Sequence, residues 1–155
     1  MPRFSNRRRV QHRAEQMFDL VADVERYPEF VPLCTSLRVR NRRPDRQGRE
    51  TLIADMSVGY KMIRERFTSR VVLDKPRLRV VVEYIDGPFS HMENIWTFRD
   101  QPDARSLVTF FIDYEFRSRT LGALMGSMFD AAFRKFAQAF EERANAIFPA
   151  GQSQS

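Results

Sequence analysis

The side chains that could act as general acids or bases are few, and most lie in two short runs. They are His91, Glu93, Asp113 and Glu115, with His12 remote near the N-terminus. Such groups could move protons only if they faced a buried substrate. His91 and Glu93 would share one face of a strand, opposite Trp96, because side chains alternate along a strand. If Trp96 points inward, this pair faces solvent and cannot serve a buried reaction.

The chain carries no recognisable catalytic or metal-binding motif. There is no H-E-x-x-H, no glycine-rich phosphate loop and no convincing Ser-His-Asp order. Cys34 is the only cysteine, which excludes an intramolecular disulfide and a cysteine metal cluster. We therefore predict binding rather than catalysis, with no catalytic residues and no metal. Arg64 or Glu65 could reach the interior only if a β-bulge shifted its strand.

The longest predicted element is a C-terminal helix over 119–148. Its apolar residues recur at helical steps and form one stripe, which comprises Leu121, Met125, Phe129, Phe133, Phe136, Phe140 and Ile147. Polar residues occupy the opposite face, as an amphipathic helix requires. A stripe of this length needs a broad apolar partner.

Most of the remaining chain alternates between apolar and polar residues, which is typical of strands. A first strand is predicted over 3–11, helical segments over 12–22 and 24–30, and six further strands over 36–42, 50–60, 61–73, 78–84, 89–98 and 107–116. Because each element must bury its apolar face, we predict an α+β fold in which a curved antiparallel sheet of about seven strands surrounds the C-terminal helix. One domain would span 1–148, followed by a disordered tail at 149–155.

Three segments carry a resemblance to a known family. Residues 21–32 read VADVERYPEFVP, GPF at 87–89 precedes WTF at 96–98, and IDYEFRS at 112–118 leads into the last helix. Together they resemble the START-like, polyketide-cyclase-like (SRPBCC) superfamily, in particular its coenzyme Q-binding protein and RatA toxin subfamily. The resemblance implies a helix-grip fold, which agrees with the predicted order of elements.

The resemblance implies three functions that the sequence does not separate. The first is non-enzymatic binding and transport of a hydrophobic small molecule, most of all ubiquinone (coenzyme Q) or a related polyprenyl lipid, in support of respiration. The second is a RatA-type ribosome-associated toxin that binds the large subunit and blocks subunit joining. The third is a polyketide cyclase or aromatase. We favour the first and rank the toxin second, and the absence of titratable groups predicted to face inward argues against the cyclase. We expect no cofactor other than bound ubiquinone.

We predict that the ligand occupies a cavity between the sheet and the helix. Residues 27–33, which we call the mouth segment, would close its open end. The predicted ligand-binding residues are Tyr27, Phe30, Val31, Met56, Val58, Phe67, Val80, Val82, Trp96, Phe110, Ile112, Met125, Phe129, Phe133 and Phe136. Phenylalanine and methionine suit a flexible apolar tail, but a filled core would use the same residues.

The net charge of +6 favours anionic partners. The candidate basic surface comprises Arg7, Arg8, Arg9, Arg38, Arg40 and Arg42, of which the last three would share one strand face. An anionic membrane surface or ribosomal RNA could use it, although a solvated strand face is the simpler explanation. With no secretory signal and no apolar run of roughly 20 residues, we expect a cytoplasmic protein, with peripheral contact at the inner membrane as a further option.

Overall fold

The computed structural model describes residues 3–148, so the predicted tail at 149–155 lies outside the described residues. In chain order the elements are β1 (Arg3–Val10), α1 (Ala14–Ala22), a 3₁₀ helix (Val24–Glu29), β2 (Cys34–Pro44), β3 (Arg49–Tyr60), β4 (Ile63–Asp74), β5 (Arg79–Asp86), β6 (Phe89–Gln101), β7 (Arg105–Phe116) and α2 (Arg119–Ile147). The predicted α+β helix-grip fold is confirmed, with one curved antiparallel sheet of seven strands and a long C-terminal helix.

The sheet has the strand order β1-β7-β6-β5-β4-β3-β2, and every neighbouring pair is antiparallel. Strands β2 to β7 form a meander of hairpins, whereas β1 pairs with β7 at the far edge. Alternate residues of each strand face inward, as a period of two requires. In β3, for example, Leu52, Ala54 and Val58 are buried. The inner face of the sheet is therefore largely apolar.

Helix α2 begins at a serine cap and packs its apolar stripe on the sheet. The Ser118 hydroxyl accepts a hydrogen bond from the Leu121 amide at 3.1 Å, which satisfies one of the free amides of the first turn. The buried stripe comprises Met125, Phe129, Ala132, Phe133, Ala137, Phe140 and Ala144. The helix lies against β7, β1 and α1, so it covers only one side of the inner face. Within residues 3–148, no helix is long and apolar enough to cross a membrane.

An aromatic cluster joins α2 to the sheet and to the mouth segment. The Phe140 ring lies 4.9 Å from Trp96, 5.2 Å from Tyr27 and 5.0 Å from Phe30, and all three pairs meet edge to face. Such pairs stabilise by about 0.5–1.5 kcal/mol each beyond the area they bury. The Tyr27 hydroxyl also donates to the Val21 carbonyl at 2.5 Å. The C-terminal half of α2 is therefore firmly held.

Two glycines give opposite predictions for substitution by alanine. A Cβ at Gly126 in α2 would meet no atom within 4 Å, so Gly126→Ala should stabilise the protein by about 1 kcal/mol through helix propensity. Gly87 has a φ of +147°, and a Cβ there would overlap Phe67 Cβ, so Gly87→Ala should destabilise the protein by about 1–3 kcal/mol or more. Urea unfolding of both variants measures the two effects. A loss of stability in Gly126→Ala would contradict the open space seen at that position.

A candidate cavity for an apolar ligand

A hollow lies between α2 and the inner faces of β3 to β6, next to the mouth segment. The hollow holds about 870 Å³ of space that no atom occupies, a volume that includes open solvent, and about 80 Å³ of it admits the centre of a water molecule. The smaller volume is the one to compare with known ligand pockets, because the larger one includes open solvent. Pockets for drug-sized ligands measure about 300–1,000 Å³. The closed cavity therefore has room for an apolar fragment and not for a whole lipid.

Eleven of the fifteen predicted ligand-binding residues line this cavity, namely Tyr27, Met56, Val58, Phe67, Val80, Val82, Trp96, Ile112, Phe129, Phe133 and Phe136. The strand residues among them occupy the inward positions of their strands, as alternation predicts. Their contact with a ligand stays a prediction.

The other four predicted residues do not line the cavity. Phe110 fills the core beside Trp96, with ring centroids 4.7 Å apart. Met125, Phe30 and Val31 pack in or against the same core. Phe110 faces inward as predicted, but α2 covers the sheet at β7. An inward residue that the helix covers is core, and only one that the helix leaves uncovered becomes cavity wall.

The wall also contains residues that were not predicted. The apolar ones include Leu37, Ala54, Val71, Phe89, Met92 and Phe140, and the polar ones are Ser69 and Asn94. Extending the alternation of each strand would have found most of the apolar residues. Phe89 needed the structure, because a register shift between Phe89 and His91 changes the alternation of β6. Ser69 and Asn94 carry no hydrophobic signal at all.

The mouth segment is fastened to the sheet, and its three wall residues, Tyr27, Pro32 and Leu33, add no charge to the cavity. The Leu33 carbonyl accepts a hydrogen bond from the Gly59 amide of β3 at 3.0 Å. Burial raises the pKa of the Tyr27 phenol well above its ordinary value. Burial also raises the pKa of the nearby Cys34 thiol to about 11. Both groups are therefore neutral near pH 7.

The four candidate acid–base residues of β6 and β7 lie on the outer face of the sheet, whereas His12 is buried beside Asn145 of α2 and away from the cavity. His91 Nε2 is 3.6 Å from Asp113 Oδ1, and His91 Nδ1 is 4.0 Å from Glu115 Oε1.

Glu65 lies on the inward side of β4, because it alternates in step with Phe67. No β-bulge is needed to place it there, but Glu65 does not line the cavity. Among the described residues, no carboxylate or imidazole belongs to the cavity wall.

The prediction that Arg38, Arg40 and Arg42 share one face of β2 is wrong for Arg42. Arg38 and Arg40 lie on the outer face, but a β-bulge follows Arg40 and shifts the register before Arg43. Arg42 is turned to the other side, where it pairs with Glu50 at 2.7 Å. Arg43 takes its place on the outer face. Alternation predicts the face of a residue only while the ladder is unbroken.

Ion pairs neutralise part of the remaining basic surface. Arg8 pairs with Glu141 of α2, whereas its two arginine neighbours stay exposed. Arg40 contacts Asp55 twice, at 2.8 and 3.4 Å, and this hydrogen bonding lowers the pKa of the Asp55 carboxyl. Exposed pairs of this kind contribute little to stability, but they reduce the positive charge offered to a partner.

A helix-grip domain with an apolar cavity, and no charged side chain among the described wall residues, has the form of a protein that binds hydrophobic ligands. The family described as "Polyketide cyclase / dehydrase and lipid transport" matches residues 10–141. The chain belongs to this family, and the superfamily resemblance drawn from the sequence is confirmed.

Relatives of this chain have two different names. The chain is 31% identical over 150 residues to "Ribosome association toxin RatA" of Escherichia coli (strain K12), covering 97% of this chain and 91% of that protein. It is 32% identical over 140 residues to "Coenzyme Q-binding protein COQ10 homolog B, mitochondrial" of Xenopus laevis, covering 86% of this chain and 54% of that protein. The solution structure of an 18 kDa protein from Caulobacter crescentus matches with a TM-score of 0.75 at 34% identity, covering 99% of both chains.

Filling the cavity should block ligand uptake without harming the fold. Met56 is a half-buried wall residue of β3, so the indole of Met56→Trp would occupy the enclosed space. We expect this variant to lose binding of an anilinonaphthalene dye while its unfolding free energy stays within about 1.5 kcal/mol of the wild type. Ile53→Trp, on the outer face of the same strand, is the matched control and should bind the dye normally. Equal dye binding by both variants would contradict a cavity at this position.

Proposed function

We propose that this protein binds a polyprenyl quinone, such as ubiquinone, between α2 and strands β3 to β6, and carries it without transforming it. The observation that carries the proposal is the apolar cavity wall, whose described residues include no carboxylate or imidazole. An isoprenoid tail is apolar and flexible, so it matches walls of phenylalanine, methionine and valine. The family description includes lipid transport, and one relative is named a coenzyme Q-binding protein, which supports the same function. The wall gives no comparable support to a cyclase.

Uptake of a quinone requires the cavity to widen beyond its enclosed volume of about 80 Å³. In this proposal, the N-terminal half of α2 is the part that moves. A Cβ at Gly126 would meet nothing within 4 Å, and one at Gly122 would meet only Phe116 at 3.9 Å. Burial of the tail would stabilise the complex by about 25 cal/mol per Å² of apolar area, offset by immobilisation of the tail. An outward shift of this half of α2 would enlarge the cavity and keep the aromatic cluster at Phe140.

The surface around the mouth supports contact with an anionic bilayer. The tip of the β3–β4 hairpin exposes 95% of Met62 and 47% of Tyr60, and Lys61 lies between them. A groove beside this tip joins Tyr60 to Leu33 of the mouth segment and to Lys135 of α2. Apolar side chains flanked by cations are typical of surfaces that rest among lipid headgroups. In this proposal, the quinone enters from the bilayer across this surface.

The proposal predicts a bound quinone and a defined route of uptake. Protein purified gently from a quinone-producing host should release a prenylated quinone on organic extraction, in near-stoichiometric amount by mass spectrometry. The stripped protein should take up quinone from anionic vesicles. Met62→Asp should slow this transfer roughly tenfold, because it places an anion against anionic headgroups.

Two controls make this experiment decisive. Met62→Leu keeps the apolar tip and should transfer quinone at the wild-type rate, whereas Met56→Trp should transfer none. A clean extract, from protein that also fails to take up added quinone, would refute the carrier function.

The arginine-rich outer face of β2 to β4 supports a second candidate function, which is ribosome association. This face carries Arg38, Arg40, Arg43, Arg64, Arg66 and Arg70, with Asp55 among them. Arginine binds phosphate groups through a rigid fork of donors. A relative named ribosome association toxin also matches 97% of this chain.

Reversing the charge of this face tests the second candidate. A triple variant with Arg38→Glu, Arg40→Glu and Arg43→Glu should lose salt-sensitive co-sedimentation with large ribosomal subunits, because phosphate contacts release counterions. A triple variant of the three exposed arginines of β1, at the opposite edge of the sheet, has the same charge change and should sediment as the wild type does. Unchanged sedimentation of the β2 variant would remove this candidate.

A further inference from the structure

Two polar side chains interrupt the apolar wall of the cavity. Ser69 of β4 is 3% exposed and Asn94 of β6 is 9% exposed, and both line the cavity. A buried polar group without a hydrogen bond costs about 1–3 kcal/mol. Native structures contain few such groups, and each one needs a physical reason.

The hydrogen-bonding capacity of these two side chains is largely unused. Ser69 Oγ is fully buried and has no hydrogen-bond partner within the described residues. Asn94 Nδ2 donates to the Phe111 carbonyl at 2.9 Å, the one hydrogen bond of its side chain found in residues 3–148. An amide has two donors and a carbonyl acceptor, so one N–H and the oxygen are available to a ligand. The Tyr27 hydroxyl, by contrast, is already bonded to the Val21 carbonyl.

Strand β5 lies between Ser69 and Asn94, and both residues are on the inner face of the sheet. Ser69 lies opposite Tyr84 of β5, and Asn94 lies opposite Val82, two positions away on the same face. With strands about 4.8 Å apart and a rise of about 3.4 Å per residue, the two Cα atoms are roughly 12 Å apart. Side chains that extend inward from these points can reach the two sides of one ring.

We propose that Ser69 and Asn94 form a head-group subsite that binds the ring oxygens of an apolar ligand. The proposal rests on the quinone-carrier function above and adds how the ligand is oriented and selected. The Ser69 hydroxyl donates to one ring carbonyl, and the free N–H of Asn94 donates to an oxygen on the other side. In a reduced ring, the Asn94 carbonyl oxygen accepts from a ring hydroxyl.

The position of the subsite also sets the direction of the tail. Ser69 pairs with Ala54 of β3, whereas Val58 lies further along β3 toward the hairpin tip beside the mouth. A ring held at Ser69 therefore lies deep in the cavity, and its tail runs past Val58 and Phe67 to the mouth segment. The ligand class is an uncharged ring with oxygens on opposite sides and a long apolar tail, because the described wall carries no charge to pair with a carboxylate or a phosphate.

The test compares two probes with two serine variants. The probes are a short-tailed ubiquinone and squalene, an isoprenoid hydrocarbon without oxygen. Ser69→Ala should weaken quinone binding about five- to tenfold and leave squalene binding unchanged. Ser106→Ala is the matched control, because Ser106 is 0% exposed and its Oγ also lacks a partner among the described residues, yet it lies outside the cavity wall. It should change neither affinity.

Thermal unfolding separates the role in binding from a role in folding. Both alanine variants should keep or raise the Tm, because each removes an unsatisfied buried hydroxyl. Asn94→Leu, a second variant of similar size, should also weaken quinone binding and spare squalene binding.

The outcomes distinguish the subsite from the carrier function. If Ser69→Ala changes the affinities for both probes equally, or changes neither, the subsite is overturned and quinone binding by the cavity stands. If the wild type binds neither probe, the carrier function fails and the subsite fails with it.

Discussion

The long helix α2 is too narrow to cover the apolar inner face of a seven-stranded sheet, and the short helix α1 adds cover only over β5 to β7. An α-helix with its side chains is about 10–12 Å across, whereas neighbouring strands lie about 4.8 Å apart. Helix α2 lies against β7 and β1, and the inner faces of β3 to β6 curve around it without full contact. The cavity is the space left by this mismatch, and its apolar wall follows from the inward alternation of the strands.

The same mismatch gives α2 two halves with different surroundings. In the C-terminal half, Phe140 packs edge to face with Trp96, Tyr27 and Phe30. In the N-terminal half, Gly122 and Gly126 have little around them, and Leu124 is exposed. In the widening that we propose, the aromatic cluster at Phe140 keeps the C-terminal half of α2 in place while the N-terminal half shifts outward.

The sheet also separates two surfaces that could serve different partners. Its inner face forms the cavity wall, and its outer face over β2 to β4 carries arginines such as Arg38, Arg43 and Arg66. Because adjacent residues of a strand face opposite sides, the two surfaces can be altered independently. Relatives with different names match this chain in sequence, and because a fold does not imply a function, the side chains of each face are where a ligand carrier and a ribosome-binding protein would differ.

The sequence by itself determined the order of elements, the antiparallel sheet and the inward faces of most strands. Periods of two and of 3.6 report directly which side of an element is apolar. Only the tertiary structure decided that Phe110 is core and Met56 is wall, since this depends on where α2 lies across the sheet. It also placed Arg42 off the arginine face, because a bulge breaks the alternation. The volume of the cavity depends on sheet curvature, a property of all seven strands together that no local pattern encodes. Only the structure shows that the Ser69 hydroxyl in its wall has no partner among residues 3–148.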